Sequence, residues 1–348
     1  MDKILSIIVP SYNMEAFLDR SLSSLIVGTP LMERLEVLVV NDGSKDRTSE
    51  IAHGYESRFP GTFRVIDKAN GHYGSCVNAG LAQASGKYVK VLDADDYFGE
   101  RFADYLAFLT TVDADLILTD NVVVDEAGVI TDRRSFNLPK DKVISLAEMM
   151  PESSHLNHFN ITHRTSILKD NGYRQTEGIS YTDLEWTTVP LGYIKSFVYC
   201  PFTVYHYLRG RDGQSVDIAY RRKNMWMENK VVLGLSGMYE SVKESIAKEN
   251  AALLKVCVSS LIRQVYFHYL INYPKYLDEK DLVEFDSALL VSSPELYESV
   301  SDTKDVRRIG TFRYISDFRR NGTRKSIKYF YFDACTAIGS IFRKLRRQ

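Results

Sequence analysis

Residues 87–98 read KYVKVLDADDYF, an apolar run that ends in Asp93, Asp95 and Asp96. Carboxylates two residues apart at a strand end can reach one hard cation. Mg²⁺ and Mn²⁺ prefer such oxygen ligands and leave coordination positions to water and substrate phosphates. Without a cation the same carboxylates repel one another and any anionic substrate. The competing reading is a solvated acidic turn in which Asp96 caps the next helix. A D-x-D alone does not decide between them, so the order of the surrounding elements has to.

ILSIIVP (4–10) is a buried-strand run ended by Pro10, after which Phe17, Leu18, Leu22 and Leu25 recur on one face of a helix. LEVLVV is a second strand, NDGSKDRTSE a loop opening a helix through Ile51, and TFRVIDK a third strand. NGHYGSCVNAGLAQASG is a glycine-rich loop and helix, KYVKVLD a fourth strand, RFADYLAFLTTV a helix and ADLILTD a fifth strand. This alternation predicts a mostly parallel α/β sheet covered on both faces, with ligands bound beyond the carboxyl ends of its strands. Ser11, Tyr12 and Asn13, then Asn41 and Asp42, then Asp67 and Lys68, then the three aspartates should therefore share one edge.

Two other α/β chemistries lack their motifs. The turn after the first strand, PSYNME, has no glycine, which removes the dinucleotide fingerprint, and no G-x-x-x-x-G-K-[ST] occurs. A chain of 348 residues with 45% hydrophobic content buries a full core with room for about two domains. Its net charge of −1 argues against nucleic-acid binding through overall charge. Cys76, Cys200, Cys257 and Cys335 are scattered, without zinc-site or disulfide spacing, which fits a reducing cytoplasm. MDKILSIIVPSYN reads as a first strand rather than a signal peptide, and no stretch approaches the ~20 apolar residues of a membrane-spanning helix.

SIIVPSYNMEAFLDRSLSSL, LEVLVVNDGSKDRTSEIA and NGHYGSCVNAGLAQASGKYVKVLDADD stand in this order across residues 6–96. Together they resemble the nucleotide-sugar-binding half of an inverting family 2 glycosyltransferase. That resemblance implies a GT-A fold, a Rossmann-like mixed α/β sheet followed by a C-terminal helical region. It implies a UDP-sugar donor, a saccharide or lipid-linked saccharide acceptor, and Mn²⁺ or Mg²⁺ held at DADD. Asp95 would ligate the cation directly, and Asp93 would support it or contact the ribose. Pro10 and Tyr12 would shape the base pocket, and Asp42 would accept a hydrogen bond from uracil, although Asp42-Gly43 is also ordinary turn chemistry. Asp67 and Lys68 would border base or ribose. Gly74 and Ser75 would let backbone approach the nucleotide, with Asn78 fixing that loop.

The family places its general base in an acidic pair at a helix start. Here the pair is Thr182-Asp183, so Asp183 takes the base position with Glu185 as runner-up, and the neighbouring carboxylate is missing. Thr182-x-x-Glu185 also has the form of a capping box. YHYLRGRDGQS resembles the segment that closes over the diphosphate, which would use Arg209 and Arg211 on the leaving group and His206 on the metal or a phosphate. Asn157, His158 and Asn160 are candidates for the acceptor side.

This reading makes 1–216 the catalytic domain, with 1–120 binding nucleotide-sugar and 121–216 supplying the acceptor side and base. Residues 217–318 have apolar residues at helical spacing and read as a helical region that packs on the catalytic domain, forms a homodimer or contacts acceptor. Residues 319–348 hold nine Lys or Arg against one Asp, a net +8 that leaves −9 on the rest. Basic flanks around YFYFDACTAIGSIF suit either a peripheral helix on the anionic inner face of the cell membrane or a solvated basic helix on the acidic remainder. The whole then reads as a metal-dependent transferase of cell-surface or capsular polysaccharide synthesis. A nucleotidyltransferase and a non-catalytic nucleotide- or sugar-binding protein are the alternatives.

Overall fold

The structure, a computed structural model, describes residues 2–149, 156–211, 213–303, 313–324 and 329. Its strands are β1 (Leu5–Ser11), β2 (Leu35–Asn41), β3 (Phe63–Asp67), β4 (Tyr88–Val91), β5 (Tyr97–Phe98), β6 (Leu116–Val124), β7 (Ile130–Arg134), β8 (Val143–Ile144), β9 (Ile161–Arg164) and β10 (Phe197–Leu208). Its α-helices are α1 (Leu18–Ser23), α2 (Thr48–Arg58), α3 (His72–Gln83), α4 (Phe102–Leu109), α5 (Leu146–Met149), α6 (Thr165–Asp170), α7 (Asp183–Thr188), α8 (Ile218–Val242), α9 (Lys248–Phe267), α10 (Glu279–Ser292), α11 (Pro294–Ser301) and α12 (Tyr314–Asn321).

The sheet order is β3-β2-β1-β4-β9-β6-β10-β5, with β7 on β6 and β8 on β10. The first four strands are parallel, as their alternation with helices predicts. β9 then inserts antiparallel between β4 and β6, so the sheet is mixed rather than mostly parallel. Residues on alternate sides of β1 and β2 explain the helices on both faces. Ile7, Val9, Val37 and Val39 pack with Leu18, Leu22 and Tyr55 from α1 and α2. Ile8, Leu38 and Val40 pack with Cys76, Val77 and Leu81 of α3. A central strand apolar on both sides has to be covered twice.

α8 to α12 do not form a separate body. Met225, Val232, Leu254, Val258, Phe285 and Ile315 join one apolar cluster with Leu116, Leu118, Ile161 and Phe197 of the sheet. Asn250 on α9 donates to the carbonyls of Leu191 and Ile194 at 2.7 and 2.8 Å, which anchors that helix beside α7. α12 crosses the expected boundary at 318/319. Arg319, the first residue of the basic tail, has a side chain only 10% exposed and donates to Asp286 at 2.8 Å, with its guanidinium 3.3 Å from the Tyr297 ring. It is a paired, largely covered charge and not a freely solvated one. Apart from 319–324 and 329, the tail lies outside the described residues. Among the described residues no helix is long and apolar enough to cross a membrane.

Candidate active site

The carboxyl ends of β1, β2 and β4, the start of α7 and the segment after β10 converge on one cavity of about 940 Å³. Ligand cavities commonly measure ~300–1,000 Å³, so this one is at the upper end of the ordinary range. Pro10, Tyr12, Asp42, Asp93, Asp95, Asp183, Arg209 and Arg211 all reach it.

Asp42 directly follows β2 and is almost wholly buried. Its Oδ1 accepts from Lys68 Nζ at 2.7 Å and from the Gly71 amide at 2.9 Å. Gly43 follows at φ +73°, a conformation in which glycine avoids the Cβ penalty. Tyr12 keeps 47% of its surface exposed, leaving the ring available at the mouth.

At the end of β4, one oxygen each from Asp93, Asp95 and Asp96 lies within 4.8 Å of the others. Their surroundings differ. Asp96 accepts from the Tyr205 hydroxyl and the Leu208 amide, each at 2.7 Å, so both its oxygens serve to tie the turn to β10. It does not cap the next helix, since α4 starts after Arg101. Burial, followed by the charges of Asp95 and Asp93, pushes the Asp96 carboxyl well above the usual range. Asp95 is also raised, first by burial and then by Asp93, against the pull of Arg211. Burial acts upward on Asp93 too, but the charge and hydrogen bond of His158 and the Tyr73 hydroxyl overcome it and hold that carboxyl low. Three crowded carboxylates, two of them pushed upward, are what a divalent cation would relieve, and oxygen donors suit Mg²⁺ or Mn²⁺. Asp95 and Asp93 line the cavity and could take that role, Asp93 in place of its bond to Tyr73 or His158; Asp96 does not line it and is occupied by the fold.

The structure also supplies residues that sequence reasoning passed over. Arg20 Nη2 donates to the Asp95 carbonyl at 3.0 Å and stacks over Tyr97, bracing the acidic turn from α1. Tyr73 donates to Asp93 Oδ1 at 3.1 Å. His158, read only as a weak acceptor-side candidate, joins the two halves of the site. Its Nε2 is 3.0 Å from Asp93 Oδ2 and its Nδ1 3.6 Å from Asp183 Oδ2. Burial opposes its charge, yet Asp93 and Asp183 raise the imidazole to about 10. It therefore stands as a cation between them at neutral pH. Asn157 lines the cavity beside it. Asn160 does not; its amide bonds to Thr119 O and Asn121 Oδ1 inside the fold.

Other expectations change. His206 does not approach the acidic cluster. It alternates with Tyr205 and Tyr207, whose rings pack on Phe159 beside the site, so its own ring points to the other face and lies 4.9 Å from Tyr97. Asp67 turns toward α2, accepting from Asn41 Nδ2 at 2.6 Å and sitting 2.8 Å from His53. Lys68 is spent on Asp42, Ala69 O and Ser75 Oγ, behind the cavity wall rather than on it. Gly74 lies inside α3, where a Cβ would come within 2.1 Å of Thr176 O; the close approach it permits is to backbone and not to a ligand. Ser75 is buried against His72 O and Lys68. Asn78 fixes residues 175–177, exchanging bonds with Gln175 and donating to Glu177. The capping box does not form. Thr182 Oγ1 donates to Gln175, and Glu185 accepts from the amide and hydroxyl of Thr176, each at 2.7 Å. Glu185 thus holds the 176 turn, and Asp183 is the carboxylate of that pair which faces the cavity.

The model of glycosyl transferase family 2 matches residues 6–171. EpsJ of Bacillus subtilis, an uncharacterized glycosyltransferase, is 34% identical over 158 residues, 44% of this chain and 44% of its own. Poly(ribitol-phosphate) beta-N-acetylglucosaminyltransferase TarS of Staphylococcus aureus is 29% identical over 224 residues, 62% of this chain and 37% of its own. The chain thus spans less than half the length of these curated relatives. The crystal structure of TarS residues 1–349 in complex with UDP-GlcNAc superposes with a TM-score of 0.66 at 21% identity, covering 86% of this chain and 84% of that one. At that identity the likeness is one of fold, and the fold is GT-A.

Proposed function

We propose that this chain, whose residues 6–171 match the family 2 glycosyltransferase model, is a glycosyltransferase that moves a hexose or N-acetylhexosamine from a UDP-sugar to a hydroxyl of a saccharide acceptor in the assembly of a cell-surface polysaccharide. The observation that carries this reading is the convergence of Tyr12 and Asp42, the Asp93–Asp95 pair and Asp183 on one cavity. Similarity to TarS, which by its name transfers N-acetylglucosamine and which has been crystallised with UDP-GlcNAc, supports a UDP-linked donor.

Asp42 meets the base, and Tyr12 offers a ring against it. Asp183 takes the proton from the acceptor hydroxyl as its oxygen attacks the anomeric carbon from the face opposite the nucleotide. The bond to the diphosphate breaks with inversion, and Arg209 and Arg211 meet the charge developing on the departing UDP. A divalent cation held by Asp95 and Asp93 would add charge neutralisation at the same diphosphate. His158 keeps Asp183 and Asp93 in fixed relation.

A lipid-linked acceptor would bring the enzyme to an anionic membrane surface, where the basic residues after 329 would act; a chain ending at residue 329 should then lose binding to anionic liposomes and keep its fold. The decisive test of the main reading is calorimetric titration of UDP with Mn²⁺, with chelator, and on Asp95→Ala. Binding that needs both cation and Asp95 is expected. Asp183→Asn should retain that binding and lose transfer by roughly 10²–10⁴-fold. No UDP binding under any condition would overturn the assignment.

A further inference from the structure

The cavity does not end at Asp183. Beyond it the wall is made by α8 and α9, with Tyr220, Arg221 and Glu228 from the first and Cys257, Ser260 and Gln264 from the second. Positions 257, 260 and 264 recur at helical spacing, so one face of α9 is turned to the cavity. That face carries a hydroxyl and an amide where a purely packing helix would be apolar. The polar groups are linked into a built site. Arg221 Nη1 donates to Glu228 Oε2 at 2.7 Å, and Gln264 Nε2 approaches Glu228 Oε1 at 3.4 Å. Ser180 Oγ and the Tyr220 hydroxyl are 2.7 Å apart. The Arg221 guanidinium lies 5.6 Å from the Tyr181 ring, which itself stands 6.4 Å from that of Tyr220. Arg221 is 8% exposed, and its Nε is buried without a hydrogen-bond partner. That Nε lies behind the cavity surface, so an acceptor atom satisfies it only when the guanidinium turns toward the cavity.

We propose that this helix-lined end of the cavity is a subsite for a neutral polyhydroxylated unit of the acceptor, a sugar or alditol residue, held with one hydroxyl toward Asp183. The inference rests on the transferase reading for the word acceptor, but not for the binding itself. Charge selects the ligand class. Arg221 is matched by Glu228, so the compartment carries no net positive charge to hold a phosphate, and Glu228 would repel one. Hydroxyls of serine and tyrosine, an amide and a carboxylate can each pair with sugar hydroxyls, and two tyrosine rings offer flat faces to C–H surfaces. Position agrees: Asp183 is two residues from Tyr181 and 3.6 Å from His158 on its other side, so it stands between this compartment and the acidic turn. The helical region is then a working wall of the site.

Saturation-transfer NMR on the full chain, with ribitol and N-acetylglucosamine as separate probes, tests the subsite directly. Both probes, or one of them, should give signal in the presence of saturating UDP. Ser260→Phe, which fills the compartment, should abolish that signal while UDP titration stays unchanged and so reports an intact fold. Tyr220→Phe, a change of one hydroxyl, should weaken the probe by about fivefold and serves if the larger substitution fails to fold. Signal lost on adding UDP, signal displaced by equimolar inorganic phosphate, signal unaffected by both substitutions, or no signal from either probe would each overturn the proposal. Polyol signal in a protein that binds no UDP would support the subsite and overturn the transferase reading.

Discussion

Arg211 Nε donates to Asp95 Oδ2 at 2.7 Å, with the two side chains only 15% and 12% exposed. The guanidinium thus lies where a cation at Asp95 would act, and the two positive groups compete for one carboxylate. Arg211→Gln should therefore bind Mn²⁺ more tightly than the native protein in the absence of nucleotide, by roughly tenfold, as a full charge is withdrawn from a buried carboxylate. With UDP present the order should reverse, because the diphosphate loses a cationic partner. Titrations of Mn²⁺ with and without UDP check both halves; equal Mn²⁺ affinity in the two nucleotide-free proteins would sink the idea of competition.

His158 bridges Asp93 and Asp183, and its removal leaves two partly buried carboxylates facing each other. His158→Phe should lower stability by about 1.5–3 kcal/mol, the usual worth of hydrogen bonds to a charged group. The imidazole is raised from 6.5 to about 10 in the fold, chiefly by Asp93 and Asp183 against burial. A raised folded value means the native state binds the extra proton between these limits. The stabilisation is complete below pH 6.5 and fades as pH climbs toward 10. Urea denaturation of both proteins across that range should show the gap closing with rising pH, and a gap that stays constant would remove the charged histidine from the account.

Much of this was legible in the chain. Continuous apolar runs such as ILSIIVP gave the parallel strands, because a strand buried on both faces cannot alternate, and the rule that ligands sit beyond strand ends brought Tyr12, Asp42 and the acidic turn to one edge. Direction at the ends of elements was harder to read. Asp67 closes β3, Lys68 follows it and Ser75 sits in the first turn of α3; they stand at the right height in the fold but point toward α2 or behind the wall, which the few residues at an element's end do not record. His206 was avoidable: in VYHYL the two-residue period puts Tyr205 and Tyr207 on one face and the histidine on the other. The antiparallel insertion of β9, the Arg20 brace and the wall formed by α8 and α9 depend on contacts between segments distant in the chain, and local pattern carries no trace of them.

Gly74 marks a contact of that long-range kind. A Cβ there would meet Thr176 O at 2.1 Å and Gln175 Cβ at 3.1 Å, and the first of these is backbone that cannot rotate away. Gly74→Ala must push the 173–178 segment off α3. Overpacking of this sort costs about 1–3 kcal/mol. The displaced segment is the one that Glu185 ties to α7 through Thr176, so Asp183 should shift with it. Thermal melting should fall, and the transfer rate should drop more than UDP affinity, since the segment reaches Asp42 only through Gly71 while it holds α7 through Glu185. Native-like melting would show that the two segments part without cost.

Lys90 supplies the opposite pH signature to His158. It is fully buried in β4, its Nζ donating to Phe159 O at 2.8 Å and Ile161 O at 3.0 Å, with the Tyr205 ring 5.8 Å away. These bonds fix the turn that carries His158, so an inward lysine in an apolar strand has a positional task. Burial drives its amine down from 10.5 to about 7. A lowered folded value means the unfolded chain binds more protons between those limits, so native stability rises with pH from about 7 to 10.5 and is lost again as pH falls back through the folded value. Lys90→Met has no such group. The native protein should therefore gain on the variant by a few kcal/mol as pH is raised from 7 to 10. Paired urea titrations at pH 7, 8.5 and 10 measure that difference directly. A difference that is flat, or that shrinks with pH, would mean the amine titrates near its ordinary value, and Lys90 would then be a charged buried lysine held by its two carbonyls alone.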